Sequence, residues 1–122
     1  MEQKVRALRG ATTLDADTRE QVIERTATLI QQMLDRNGVA KEDLISIIFT
    51  ATDDIASEFP AAAARQIGIS DIPLLCAREL EVLDAIGLCV RVLMHLYTDK
   101  EPADLRHVYL EGAVPLRTDL PQ

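Results

Sequence analysis

The 122-residue sequence predicts an α+β fold, a mixed β-sheet of about five strands with one long helix. Three observations carry the prediction. Only one segment, from about Thr18 to Arg36, sustains helical apolar spacing over several turns. Five other segments are short and rich in β-branched or alternating apolar residues, which suits strands. Elsewhere the pattern leaves room only for short helical turns. A chain of this length makes one domain, 1–122, able to bury a core without staples, with an irregular tail over about 112–122.

Val5 to Thr13 (VRALRGATT) reads as the first strand, closed by Gly10. Thr18, followed three residues later by Gln21, fits a helix-capping box. Val22, Ile23, Thr26, Leu29, Ile30, Met33 and Leu34 follow at helical spacing, and Asn37-Gly38 ends the helix. Leu44 to Thr52 (LISIIFTAT) is the second strand, broken by Asp53-Asp54. Phe59 to Gly68 is a short helix with proline in its first turn and glycine at its end. Pro73 to Glu79 makes a short third strand and Gly87 to Thr98 a long fourth. Glu101 to Arg106 is a helical turn, His107 to Glu111 a fifth strand, and Pro115 and Pro121 break the tail.

The fourth strand raises a packing problem. Leu88, Val90, Val92, Met94 and Leu96 point one way and make a clean core face. Cys89, Arg91, Leu93, His95 and Tyr97 point the other way. That second face is too apolar for open water, yet it carries a charge. One helix covers only part of one sheet face, so burial against further copies of the chain is expected.

Charge and cysteine content narrow the function. Twenty acidic residues against 13 basic ones give a net charge of −7, which argues against nucleic acid as partner. No run of eighteen apolar residues predicts a membrane span, and MEQKVRALRG lacks the apolar core of a signal peptide. Two cysteines, Cys76 and Cys89, are too few for a disulfide framework and lack zinc-binding spacing. A cytoplasmic protein with free thiols is expected. Lysine occurs only at Lys4, Lys41 and Lys100, and every other cation is arginine, the better side chain for bidentate contact with carboxylate or phosphate.

Arg91 is the sharpest candidate. A guanidinium in an apolar strand needs an anion, either an internal partner such as Glu79 or Glu111 or a group that arrives with a ligand. Arg9 shares a face with Val5 and Ala7 and sits beside Gly10. Tyr109 lies opposite Val108 and Leu110 on the fifth strand and could bind an anion through its phenol. Ideal alternation would put Cys76 and Glu79 on opposite faces, so both reach one site only if the strand ends or bends near Ala77. His95 and His107 read as hydrogen-bonded structural residues. The chain has no nucleotide-binding glycine loop, no HExxH and no GxSxG elbow. An enzyme built this way would act by positioning and by charge, with no metal or cofactor.

Five segments together resemble a known family: RGATT (Arg9 to Thr13), FPAAAARQIG (Phe59 to Gly68), PLLCARE (Pro73 to Glu79), the strand around Arg91, and RHVYLEGAVPLRTDL (Arg106 to Leu120). In this order and spacing they resemble the small monofunctional homotrimeric chorismate mutases of bacteria. The resemblance implies sheets gathered as a trimeric pseudo-barrel and conversion of chorismate to prephenate by a concerted Claisen rearrangement. It implies that Arg91 faces the substrate's ether oxygen and a nearby carboxylate, and that Arg9 and Tyr109 hold a carboxylate. Glu79 and Cys76 would sit near the ring hydroxyl and the allyl half. The backbone of Leu74, Leu75, Cys76, Ala77, Arg78 and Glu79 would line the site. Phe59 and Arg65 would come from the neighbouring subunit, and Arg117 would lie near the mouth. The chain departs from some members in carrying Ala62 for lysine and Leu75 for a hydroxyl residue. A trimeric metabolite binder without catalysis, and an assembly protein whose Arg91 pairs internally, are the competing readings.

Overall fold

The computed structural model describes residues 2–116. Its sheet contains five strands in the order β3-β2-β4-β1-β5. These are β1 (Lys4–Thr13), β2 (Leu44–Ala51), β3 (Leu74–Arg78), β4 (Cys89–Thr98) and β5 (Val108–Tyr109). β1 and β2 both run antiparallel to β4, whereas β5 lies parallel to β1 and β3 parallel to β2. The sheet is therefore mixed, as expected.

The long helix α1 (Arg19–Asn37) begins at Thr18, whose hydroxyl accepts from the Gln21 N–H at 3.2 Å. The box is only half formed. Gln21 Oε1 reaches past Thr18 to accept from the N–H groups of Asp15 (2.7 Å) and Ala16 (3.3 Å), because the chain folds back before the helix. Gly38 ends α1 at φ 61°, a conformation that a side chain would strain. The apolar stripe of α1 covers one face of the sheet. Leu29, Ile30, Met33 and Leu34 pack on Leu8, Ile47, Phe49, Val92, Met94 and Leu96 in one buried cluster. Gly10 is what lets the helix come so close, since a Cβ there would sit 2.6 Å from Met33 Sδ.

Several boundaries differ from those the sequence predicts. The short helix α2 is Ala61–Gln66, with Pro60 at its start. A single 3-10 turn at Lys41–Asp43, for which the sequence pattern gives no signal, precedes β2. β4 begins at Cys89 rather than Gly87, because Leu88 takes φ 47° while its N–H donates to both carboxylate oxygens of Asp54, at 3.1 and 2.9 Å. β5 is reduced to Val108–Tyr109, since Glu111 turns to φ 52° and opens a 3-10 helix, Glu111–Leu116. That helix replaces the irregular chain expected from residue 112, and residues 117–122 lie outside the described part.

The face of the sheet away from α1 carries Ala7, Arg9 and Ala11 from β1, Ile48 and Thr50 from β2, and Arg91, Leu93, His95 and Tyr97 from β4. Among the described residues only the 3-10 helix Glu111–Leu116 reaches it, with Ala113 and Leu116 packed against Ala11 and Cys89 at one end. Val5, Leu75 and Tyr97 are exposed there.

Candidate functional site

A cavity of about 300 Å³ opens on this face, with Arg9, Ile48, Thr50, Arg91, Leu93, Tyr109 and Leu116 among its lining residues. Topology explains the grouping. β1 lies between β4 and β5, so the register that pairs Ala11 with both Arg91 and Tyr109 brings three distant segments together. Alternation then turns Arg9, Arg91 and Tyr109 to the same side.

Arg91 is paired internally with Glu79, the first of the two partners that its position suggested. Its Nε lies 3.1 Å from both Oε1 and Oε2 of that carboxylate. The Glu79 side chain is only 13% exposed, against 42% for Arg91. The acid is therefore the anchored partner and the guanidinium the open one. Among the described residues, Arg91 Nη1 and Nη2 make no hydrogen bond. Thr50 Oγ1 donates to Glu79 Oε2 at 2.8 Å, and the Glu79 N–H donates to Ala51 O at 3.1 Å. Sequence reasoning missed Thr50, because a threonine in a strand is ordinary and only the register with Arg91 gives it meaning.

β3 ends next to Ala77, at Arg78, but does not bend there, and Cys76 stays on the opposite face. β3 keeps its alternation, pairing Leu75 with Ile48 and Cys76 with Phe49. Leu75, Ala77 and Glu79 thus take the cavity face, while Leu74 and Cys76 pack against the core on the helix side. Cys76, Ala77 and Arg78 instead line a second cavity of about 440 Å³ together with Ile55, Glu58 and Phe59. The Arg78 guanidinium is tied to that rim by bonds to the carbonyls of Thr52 (2.6 Å) and Ile55 (3.0 Å). Phe59 is 67% exposed, and neither it nor Arg65 lines the Arg91 cavity within one chain. Arg117 lies outside the described residues.

The surroundings hold these groups in place. His107 is buried, and its Nδ1 accepts from the Arg9 N–H at 2.9 Å, so the ring fixes β1 behind the Arg9 side chain. That bond requires an unprotonated Nδ1. His95 departs from expectation, since its buried Nδ1 has no hydrogen-bond partner among the described residues. Cys89, fully buried, has its thiol pushed up to about 11, chiefly by burial and further by the negative charge of Glu79. It is therefore no nucleophile at neutral pH. The exposed Glu81 carboxyl is raised by its hydrogen bond to Asp53 and that neighbour's charge.

The site thus offers a fixed arginine with free donors facing a fixed carboxylate, beside a second arginine and a phenol. It can hold an anion and support opposite charges a few ångströms apart. Comparison with known proteins agrees with this chemistry. The family model described as chorismate mutase type I matches residues 5–120. Chorismate mutase AroH of Thermus thermophilus is 47% identical over 117 residues, covering 95% of this chain and 96% of that protein. Chorismate mutase AroH of Bacillus subtilis is 38% identical over 117 residues, covering 95% and 92%. A solved chorismate mutase from Clostridium thermocellum superposes with a TM-score of 0.87 at 44% identity, covering 88% of this chain and 96% of that one.

Proposed function

The chain belongs to the chorismate mutase type I family, and on that premise we propose how its residues convert chorismate to prephenate. The activity is an intramolecular rearrangement in aromatic amino acid biosynthesis. One carbon–oxygen bond breaks as one carbon–carbon bond forms, and no proton or group passes to the protein.

The observation that carries the assignment is Arg91, which lines the cavity and is held through Nε, its Nη groups making no hydrogen bond among the described residues. As the ether bond stretches, negative charge grows on its oxygen. A guanidinium already aimed there stabilises the transition state more than the ground state. Glu79 sits on the opposite side of the same charge pair, where the allyl half becomes positive. It acts by field and orientation, since no step requires its proton. Arg9 and Tyr109 hold a substrate carboxylate. β3 is an edge strand, so its backbone from Leu74 to Glu79 has unspent N–H and C=O groups for the ring hydroxyl. Cys76 contributes through that backbone, its side chain being on the helix face.

The active unit in this reading is a homotrimer. The apolar face around Leu93 and Tyr97 packs against other copies, and exposed Phe59 reaches a neighbour's cavity with Arg65. A cytoplasmic location belongs to the same proposal, in keeping with the free thiols of Cys76 and Cys89.

The test mixes purified protein with chorismate and follows the loss of its ultraviolet absorbance, then looks for phenylpyruvate after acid treatment. Arg91→Ala should remain folded and lose at least about a hundredfold in kcat, the scale for one missing electrostatic donor. Near-parent turnover in that variant would mean that Arg91 does not stabilise the breaking ether bond.

A further inference from the structure

Thr50 lines the cavity with a polar side chain that neither binds the substrate's carboxylates nor faces its ether oxygen in the mechanism proposed for Arg91, Glu79, Arg9 and Tyr109. We propose that its hydroxyl is a positioning residue for the rearrangement, holding Glu79 in register while Arg91 engages the substrate. The proposal rests on the chorismate mutase reading of the same site.

The geometry is specific. Thr50 on β2 is the direct cross-strand partner of Arg91 on β4, so both side chains leave the sheet on the same side. The Thr50 hydroxyl has one hydrogen, and it goes to Glu79 Oε2 at 2.8 Å. β-branching restricts χ1, so the β2 backbone dictates where that hydroxyl oxygen sits. The Glu79 N–H is held by Ala51 O, the next residue on the same strand. Glu79 is thus fastened to β2 at its backbone and at its carboxylate, independently of β4.

That independence matters because the other support is poor. Arg91 shares one Nε hydrogen between both oxygens at 3.1 Å, and a divided hydrogen bond is weaker than a linear one. When substrate draws on the guanidinium, this bond is the one that yields. The Thr50 bond keeps Glu79 from following. It also distinguishes the two oxygens. Oε2 accepts from both Thr50 and Arg91, whereas among the described residues Oε1 accepts only the shared hydrogen. Oε1 is therefore the oxygen presented to the ligand.

The test compares Thr50→Val, which keeps the shape, with Thr50→Ser, which keeps the donor, using chorismate kinetics. Thr50→Val should lower kcat about tenfold, the effect of one charge-assisted bond, with KM changed less than about twofold. Thr50→Ser should stay within about twofold of the parent in both constants. In a Glu79→Gln background, Thr50→Val should add little further loss. A valine variant with parent kcat overturns the proposal, and so does a serine variant that falls with it. Should valine prevent folding, Thr50→Ala against Thr50→Ser makes the same comparison. Failure of the Thr50 role leaves parent turnover and the Arg91→Ala loss intact, whereas failure of the chorismate mutase reading removes those two results first.

Discussion

Arg91 and Glu79 meet through one shared hydrogen, Nε to both carboxylate oxygens at 3.1 Å, so the pair forms without using the four hydrogens at the guanidinium tips. The cation that a substrate would need is therefore stabilised beforehand without being consumed. An internal partner and a ligand are not rival explanations for this arginine.

Arg91→Lys tests that division. An ammonium on a flexible stem cannot keep the Glu79 bond and also present two aimed donors. The variant should fold with near-parent thermal stability and lose roughly a hundredfold in kcat/KM for chorismate. Activity close to the parent would mean that positive charge alone suffices.

Gly10→Ala tests how closely the helix must approach the sheet. The new Cβ would lie 2.6 Å from Met33 Sδ, 3.1 Å from Leu29 Cδ1 and 3.2 Å from Val108 O. Methionine can yield, but the backbone carbonyl of β5 cannot without moving Tyr109 as well. A loss of roughly 1–3 kcal/mol in denaturant unfolding is expected. A raised KM for chorismate should accompany it. Unchanged stability would show that α1 has slack over Gly10.

Cys89 sets a prediction for alkaline pH. Burial, aided by the Glu79 charge, raises its folded pKa to about 11 from an ordinary 9.0. The unfolded chain releases this proton first, so the stability the neutral thiol contributes is whole below about pH 9 and declines as pH rises from 9.0 toward 11. Cys89→Ala should flatten that decline in a series of urea midpoints. Thiol labelling of the native parent should leave Cys89 unmodified by mass spectrometry until urea is added. Labelling of Cys89 at neutral pH in the native state would contradict its burial.

Much of this molecule is legible before folding, and the part that is not has a common cause. The helix from Thr18 to Gly38 reads cleanly because caps and periodicity are local signals. So does the conflict at Arg91, since an arginine among Val90, Val92 and Leu93 demands a partner wherever the strand goes. The partner Glu79 could be named, but not the Thr50 bond that fixes it, because that depends on how β2 and β4 are registered. The His107 bond to the Arg9 N–H depends likewise on β5 lying beside β1. Strand ends are hard to read where side chains overrule propensity. Asp54 seizes the Leu88 N–H and delays β4, and the turn at Glu111 cuts β5 short. The alternation of β3, which keeps Cys76 from the Arg91 cavity, was the simpler of the two courses open to it and is the one the chain takes.

The placement of β1 inside the sheet has a consequence during synthesis. The first strand to leave the ribosome pairs with β4 from Thr13↔Cys89 to Lys4↔Thr98, and on its other side with β5. Both neighbours are made late, so β1 must wait, unpaired, for most of translation. Closing such long loops is slow and exposes apolar strand in the meantime. Helix α1 is the element that can form early and shelter Leu8 until then. A nascent chain arrested before residue 89 should therefore be helical yet open to protease, and protection should arrive abruptly once β4 has emerged.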